Sequence, residues 1–214
     1  MGKRPGRCFR VIKNKPYPKS KYCKKIPRSK IRFFDIGNKN APVNEFSSCI
    51  SLINLEPVNI TSQCIEALRI AINRSISKKL KKKKYHLKIN VHPWHILRNN
   101  KMLAKAGADR VQTGMRLAFG KNIALCARVG KYQKILSIRS KHRHSFYIFN
   151  LVKKLSYKIS GKQIPIIAPT WGFTVFSKIN FLILSQNLEL YKKSTHASNI
   201  KSSYILSYFI KNKS

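Results

Sequence analysis

Two amphipathic stretches in the middle of the chain constrain its fold more than any other feature. In both, apolar side chains recur three or four positions apart, at Ile65, Leu68, Ile72 and Ile76 and again at Ile148, Leu151, Val152, Leu155 and Ile159. This spacing is that of an α-helix with one buried face. Thr61 or Ser62 can cap the first helix, which we expect to end near residue 77. Ser145 can cap the second helix, and Gly161 can close it.

Strand patterns lie between these helices. Residues 85–91 alternate apolar and polar side chains, which predicts a half-buried strand that stops at Pro93. Residues 123–129 alternate in the same way, and residues 134–139 are the expected return partner of that strand. Helices and strands therefore occur together in one folded body.

The flanking segments are less regular. Residues 30–37 predict a first strand, and residues 38–59 are expected to be rich in turns. Residues 163–168 predict an edge strand, because prolines lie in and beside them. The aromatic residues of 170–174 are expected to pack the tail onto the body, and the tail from about residue 177 shows no clear period.

Residues 101–120 contain three of the nine glycines of the chain, with Lys or Arg every few positions and Asp109 as the one acid. Glycine allows tight turns and close approach of the backbone to a partner. We interpret this stretch as an ordered loop that leaves and re-enters a sheet and meets a negatively charged partner. The alternative is a helix–loop–strand connection whose charges face water.

The chain has 45 Lys and Arg against 6 Asp and Glu, a net charge of +39. Such self-repulsion disfavours a compact state unless a polyanion neutralises it. Nucleic acid is favoured over a membrane, because no apolar run approaches the roughly 18 residues of a spanning helix and no signal-peptide core is present. The 43% hydrophobic content argues against a disordered polycation. The five scattered cysteines predict reduced thiols in an intracellular protein.

Residues 1–34 carry thirteen Lys and Arg, no acid and four prolines. Prolines and interleaved aromatic residues predict an extended arm that lies in RNA grooves. A mitochondrial transit peptide is the alternative, but Lys-Pro-Tyr-Pro at residues 15–18 is unlike an amphipathic helix. The lysine block at residues 78–84 is either a solvated turn or a phosphate contact.

No pattern predicts catalysis, a cofactor or a bound metal. The six acids stand at least ten residues apart, so no local carboxylate pair exists to hold catalytic metal ions. His92 and His95 have metal-ligand spacing, but no Cys, Asp or Glu lies nearby to complete a site. We expect His92, Trp94 and His95 to pack or to stack on RNA.

Five blocks carry a resemblance to a known family. They are Met-Gly-Lys-Arg-Pro-Gly-Arg-Cys at residues 1–8, Asn-Lys-Pro-Tyr-Pro-Lys-Ser at 14–20, Ile-Arg-Phe-Phe-Asp-Ile-Gly at 31–37, His-Pro-Trp-His-Ile-Leu-Arg at 92–98, and residues 101–120 with Ala-Gly-Ala-Asp-Arg-Val-Gln-Thr-Gly-Met-Arg. They closely resemble the eukaryotic form of large-subunit ribosomal protein ten, whose bacterial counterpart is protein sixteen. The resemblance extends from residue 1 to about residue 176.

The resemblance implies an α+β fold, a two-layer body of two main helices packed on a mostly antiparallel β-sheet, with a basic N-terminal arm and a long glycine-rich functional loop. It implies three segments: the arm at 1–34, the body at 35–176 with loop 101–120, and a divergent tail at 177–214. The implied partners are large-subunit rRNA near the peptidyl-transferase centre, tRNA acceptor ends, neighbouring ribosomal proteins, and transient biogenesis and nuclear-export factors, without a membrane. The implied roles are support of tRNA accommodation and of late subunit maturation.

The expected site residues form two groups. RNA-binding residues are Lys3, Arg4, Arg7, Arg10, Lys13, Lys15, Lys19, Lys21, His92, Trp94, Arg98, Lys101 and Arg116. Residues of the loop near tRNA are Met102, Lys105, Gly107, Ala108, Asp109, Arg110, Gln112, Thr113 and Gly114. The arginines at 98, 110 and 116 can make bidentate contacts to phosphates.

The chain also departs from the family pattern. Leu117 stands where a glycine is usual, the 78–84 connection is unusually basic, and the tail after residue 176 does not match. The preference for Ile, Asn and Lys is typical of an AT-rich reduced genome, such as that of a parasite or an endosymbiont nucleus. We expect a cytoplasmic ribosome of the eukaryotic type. The alternative function is that of a free-standing RNA-binding protein or RNA chaperone.

Overall fold

The computed structural model describes residues 9–12, 15–23, 25–99, 119–186, 190–193 and 196–199. Its helices are α1 Ser62–Lys79, α2 Ser145–Leu155 and α3 Lys178–Gln186. Its strands are β1 Asp35–Gly37, β2 Ser48–Asn54, β3 Val58–Thr61, β4 Tyr85–Ile89, β5 His95–Asn99, β6 Lys121–Val129, β7 Lys134–Ser140, β8 Gln163–Ala168, β9 Leu190–Lys193 and β10 His196–Asn199. None of the described helices has the length and apolar character needed to cross a bilayer.

All strand pairs in the described part of the chain are antiparallel, as expected, but they form three sheets rather than one. The largest has the order β1-β4-β7-β2-β8, the second has the order β3-β6-β5, and β9 and β10 form a hairpin. The strand β8 lies at a sheet edge, as the prolines around it predicted. The fold is α+β, with α1 and α2 on the core.

The core forms where the two helices meet the sheets. The predicted stripe of α1 is buried to 2% exposure or less at Ile65, Leu68, Ile72 and Ile76. Ile148 and Val152 of α2 join the same cluster, together with strand residues from both larger sheets. Each such side chain contributes about 1.5–3 kcal/mol through removal from water. The helical period in the sequence therefore identified the buried face of α1. It identified that of α2 in part, because Leu151 and Leu155 are only partly buried and Ile159 lies beyond the end of the helix.

The helix ends agree only in part with expectation. The Thr61 side chain accepts a hydrogen bond from the Cys64 N–H, so Thr61 is the N-cap of α1. Ser145 is the first residue of α2 rather than its cap, and the position before it, His144, makes no side-chain capping bond. The helix ends at Leu155, and a 3-10 turn follows, so Gly161 does not close it.

Several strands were missed or paired wrongly. Residues 38–59 contain β2, the strand between β7 and β8, and the start of β3, instead of turns alone. The strand β5, which begins at His95, was not predicted from the sequence. The strands β6 and β7 follow each other closely but belong to different sheets, so residues 134–139 are not the return partner of β6. The turn between them transfers the chain from one sheet to the other.

The segment after β8 packs as expected and then continues into α3, which the sequence had left unassigned. The Trp171 ring stacks on Phe181 of α3, with ring centroids 4.5 Å apart, and its indole N–H donates to the Val43 carbonyl at 2.9 Å. These contacts fix the beginning of the tail against the 3-10 turn Val43–Glu45, which precedes β2.

Candidate nucleic-acid interface

The three-stranded sheet positions most of the described residues that were expected to bind RNA. Its strands β5 and β6 are antiparallel neighbours, with a shift of register between Leu97 and Arg98 and with Asn99 opposite Lys121. The residues between them therefore join two neighbouring strands at one end of this sheet. Those residues lie outside the described part of the chain, and with them the predicted contacts Lys101 and Arg116 and every loop residue from Met102 to Gly114.

The described part of the basic arm runs along both edges of this sheet. At β3, the Asn59 N–H donates to the Arg10 carbonyl at 2.8 Å, and the Asn59 side chain donates to the Val11 carbonyl at 3.1 Å. At β5, the Ile96 N–H donates to the Tyr17 carbonyl at 2.9 Å. These parts of the arm are attached to the body through peptide groups, which leaves their lysine and arginine side chains free to face outward.

The cations of the arm are directed away from the body. Among those expected to bind RNA, Arg10, Lys15, Lys19 and Lys21 are exposed. Lys3, Arg4, Arg7 and Lys13 lie outside the described residues. A fixed backbone with outward cations is an arrangement that can place charges along a chain of phosphates. The RNA contacts themselves stay a prediction.

Arg98 differs from these exposed cations because its side chain is bound within the protein. Its Nε donates to the Phe119 carbonyl at 2.8 Å, one Nη donates to the Tyr17 hydroxyl and the Asn122 side-chain oxygen at 2.9 Å each, and the other Nη donates to the Gly120 carbonyl. The guanidinium also lies 3.5 Å from the centroid of the Phe119 ring.

This geometry changes the interpretation of Arg98. A guanidinium has five N–H donors, and four of those of Arg98 are engaged within the chain. A two-pronged contact to one phosphate is therefore not available to it in this arrangement. Contact between Arg98 and RNA stays a prediction, and in this arrangement only one N–H of the guanidinium is left to make it. What the structure shows is a clamp that joins the arm at Tyr17 to the chain at Phe119 and Gly120.

The three aromatic residues of the 92–95 segment have different environments. The exposed His92 ring stacks on Phe34 with centroids 4.0 Å apart, whereas the Trp94 side chain is 44% exposed. His95 is buried, and its Nδ1 accepts a hydrogen bond from the Tyr17 N–H at 2.9 Å. Trp94 is the member with an open ring for stacking on a base, while His92 and His95 are engaged by the protein.

Burial favours the neutral form of His95. Loss of solvation lowers the pKa of its imidazole below the usual value, and the nearby positive charge of Arg128 lowers this pKa further. Only the neutral ring can offer Nδ1 as an acceptor to Tyr17. The attachment of the arm to β5 therefore depends on the protonation state of His95.

A second arginine cluster, which the sequence did not reveal, lies within the five-stranded sheet. Arg139 is 1% exposed; its Nε donates to His86 Nδ1 at 3.0 Å, and one Nη donates to the Ala41 carbonyl at 3.0 Å. Its guanidinium lies between the rings of Phe46 and Phe173, at 5.3 and 5.5 Å from their centroids. The sequence did not reveal this cluster because the strand pattern shows only that residue 139 is polar. The partners of Arg139 are distant in sequence, so no local pattern connects them.

In the described part of the chain, Asp35 and Glu66 lie against basic side chains. Asp35 lies 3.1 Å from Nε2 of His86. Glu66 pairs with Arg69 one turn later in α1, at 2.5 Å, and the hydrogen bond from Arg69 holds the pKa of this carboxyl below its usual value. The paired Arg69 is only 8% exposed. Both carboxylates are thus engaged by groups of the body, and Glu66 offsets the charge of Arg69.

In the described part of the chain, no three His, Cys, Asp or Glu side chains form a group that could hold a metal ion. His92 and His95 contact different partners, as described above. The lysine block at 78–84 forms the last turn of α1 and a 3-10 turn. Cations in the last turn of a helix interact favourably with the helix dipole, and a contact of this block with phosphates stays a prediction.

Comparison with known proteins adds an independent line of evidence. Residues 12–164 match the model of the ribosomal protein L16p/L10e family. The chain is 48% identical over 182 residues to a protein of Pinus taeda named "Large ribosomal subunit protein uL16", which covers 85% of this chain and 80% of that protein. It is 48% identical over 178 residues to a protein of the same name from Dictyostelium discoideum, covering 83% of this chain and 82% of that protein.

Proposed function

The chain belongs to the ribosomal protein L16p/L10e family, as a eukaryotic-type member with a structural and non-enzymatic role in the large ribosomal subunit, and we propose that it binds large-subunit rRNA near the peptidyl-transferase centre. Membership of this family implies that the protein binds rRNA and other ribosomal components during translation. The location near the catalytic RNA and the assignment of individual contacts are the proposal.

One observation supports the proposal most directly: the arm and the two ends of segment 100–118 meet at one place. Arg98 of β5 bonds to Tyr17 of the arm and to the carbonyls of Phe119 and Gly120. A basic arm and a glycine-rich loop that start from one clamp can be positioned together by one rRNA site. The net charge of +39 supplies the attraction to that RNA.

The salt dependence of binding tests the role of the arm. We expect the wild-type chain to bind large-subunit cores stripped of this protein, with an affinity that falls steeply as salt rises. Replacement of Lys15, Lys19 and Lys21 by glutamine should reduce the slope of log K against log salt by up to about 3, because each lost phosphate contact removes roughly 0.9. Replacement of the exposed helix cations Arg74, Lys153 and Lys154 is the matched control. Equal slopes for both triple variants would contradict the assignment of the arm.

The loop is proposed to act on tRNA. Residues 102–114 would reach the acceptor ends of bound tRNAs and support their accommodation, because cations and glycines allow close approach to a phosphate backbone. Arg110→Ala should leave incorporation of the protein into subunits unchanged and slow the accommodation of aminoacyl-tRNA in a rapid-kinetic assay. Normal accommodation by subunits that contain the variant would remove this part of the proposal.

We further propose that the protein joins the large subunit late in its maturation and takes part in the departure of biogenesis and nuclear-export factors, within a cytoplasmic ribosome. Depletion of the protein should then leave large-subunit precursors that retain an export factor. A free-standing RNA chaperone would instead bind unrelated structured RNAs equally well and would be absent from salt-washed subunits.

A further inference from the structure

The turn between β6 and β7 contains a tyrosine in an unfavourable backbone conformation. Tyr132 has φ of +60°, and among the described non-glycine residues only Lys25 shares a positive φ. For a bulky side chain this region is disfavoured, because the Cβ crowds the backbone carbonyl. Glycine would adopt the same conformation without strain. The presence of tyrosine therefore needs a physical reason.

The surrounding hydrogen bonds hold this conformation in place. The Tyr132 N–H donates to the Asn54 carbonyl at 2.6 Å, and the Asn54 N–H donates to the Gln133 carbonyl at 3.1 Å. The Gln133 side chain accepts from the Gly130 N–H at 2.8 Å, and Asn54 itself is fully buried. These bonds to Asn54 at the end of β2 hold the backbone of the turn in place. The backbone in turn sets the direction of the Tyr132 side chain.

The ring that is held in this way is left at the surface. The Tyr132 side chain is 65% exposed, and the ammonium of Lys131 lies 5.0 Å from the centroid of its ring. The exposed Lys134 pairs with Ile53 of β2, and the carbonyl of the exposed Lys162 accepts from the backbone next to Asn54. An aromatic face with three lysines on adjoining segments matches a nucleotide, whose base stacks and whose phosphates attract the cations.

We propose that Tyr132 is a stacking platform for an unpaired base of large-subunit rRNA, with Lys131, Lys134 and Lys162 near the adjoining phosphates; this rests on the proposed rRNA-binding function. Single-stranded bases are recognised in this way because every base has a π-face. Backbone strain is retained where the surrounding structure fixes it and where it serves a function. Here the strain directs the ring outward from a rigid turn.

Three substitutions separate the ring from the strain. Tyr132→Phe keeps both, Tyr132→Ala removes the ring and keeps the strain, and Tyr132→Gly removes both. We expect Tyr132→Ala and Tyr132→Gly to bind stripped large-subunit cores about 5- to 150-fold more weakly, and Tyr132→Phe to bind like the wild type. Measured at a salt concentration that screens self-repulsion, the Tm should be about 1–4 °C higher for the glycine variant than for the alanine variant. The ranking of the variants by affinity would therefore differ from their ranking by Tm.

Tyr157 provides the matched control. It is 72% exposed beside Lys158, but its backbone φ is not positive. Tyr157→Ala tests whether any exposed tyrosine beside a lysine gives the same loss. An equal loss from Tyr157→Ala would show that the turn has no special role and would overturn the inference.

Photo-crosslinking in assembled subunits identifies the partner. With p-benzoylphenylalanine in place of Tyr132, we expect a crosslink to one rRNA segment, with increased dimethyl sulfate reactivity there in Tyr132→Ala subunits. A crosslink to a neighbouring protein, or no crosslink, would overturn the inference, as would equal affinity of Tyr132→Ala and the wild type. Failure of the wild type itself to bind the cores would instead overturn the proposed function.

Discussion

Two arginines form clamps of the same design in regions with different roles. Arg98 and Arg139 each lie against two aromatic rings and donate to backbone carbonyls of segments distant in sequence. Arg139 is almost completely enclosed and joins the five-stranded sheet to the segments around Ala41 and Phe173. Arg98 is half-buried at the edge of the three-stranded sheet and joins the arm to Phe119.

The difference lies in what each clamp holds. A buried cation has no access to water, so each missing partner leaves an unsatisfied charge in the core and destabilises the whole fold. A half-buried cation can be rehydrated when its partners move away, so its loss frees the attached segments without exposing the core. The first clamp therefore governs global stability, and the second governs the position of segments that are proposed to meet RNA.

The largest expected effect is that of Arg139→Met. It leaves two buried acceptors, His86 Nδ1 and the Ala41 carbonyl, without their donor, and the free energy of unfolding should fall by about 2–5 kcal/mol. Denaturant unfolding measures this change, with Arg74→Met on the exposed face of α1 as the control that should stay within about 0.5 kcal/mol of wild type. A loss below about 1 kcal/mol would mean that the aromatic rings, and not the hydrogen bonds, hold this region.

A glycine beside the same clamp should give the next largest effect. Gly172 has φ of +51°, and a Cβ there would lie 2.8 Å from the Phe46 carbonyl oxygen. We expect Gly172→Ala to lower the free energy of unfolding by roughly 1–3 kcal/mol, because the adjoining Phe173 must shift from Arg139. Gly130→Ala is the control, since φ there is not positive and a Cβ would have only one neighbour, at 3.8 Å. Equal unfolding energies for the two variants would contradict the proposed crowding.

Arg98→Lys should affect the arm more than the fold. Lysine keeps the charge but loses the planar group that bonds to several carbonyls, so we expect a loss of about 1–2 kcal/mol and faster tryptic cleavage after Lys19 and Lys21. Arg74→Lys is the matched control on an exposed helix face. Unchanged cleavage would mean that Arg98 serves chiefly as a positive charge, as the sequence had suggested.

A similar contrast separates the elements that could be predicted from the sequence from those that could not. The helices α1 and α2 were predicted because their apolar residues recur with a period of about 3.6 residues. The strand β4 was predicted because apolar and polar residues alternate along it, although His86 on the polar face is buried as well. The strand β2 was missed because it is buried nearly throughout. Its polar residues, such as Ser51, face other buried groups like Ser137 instead of solvent, so no alternation is visible.

The pairing of strands and the partners of side chains depend on contacts that no local pattern records. The turn after β6 resembled a hairpin, but Asn54 of β2 holds it and directs β7 into another sheet. Likewise, the sequence shows Arg98 as one more cation beside a basic loop. Its partner Tyr17 is 81 positions away, so only the fold shows that the charge is used within the protein.

The smallest expected effect is a dependence on pH of the stability of the two regions. Burial lowers the pKa of His95 and also that of His86, where Arg139 lowers it further. A histidine whose folded pKa is below its unfolded value of about 6.5 contributes stability that is complete above that value and is lost as pH falls through the folded pKa. Both regions should therefore weaken as the solution becomes acidic.

His95→Asn separates the two contributions, because asparagine can accept the hydrogen bond from the Tyr17 N–H without titrating. In the wild type, the hydrogen-exchange protection factor of the Tyr17 amide should fall as pH drops below about 6.5, and in the variant it should stay constant. The decrease of Tm with acidification should persist in both, because His86 and Arg139 are unchanged. If the protection of Tyr17 falls equally in the variant, the arm is released by another group, and the clamp at Arg98 does not act together with His95.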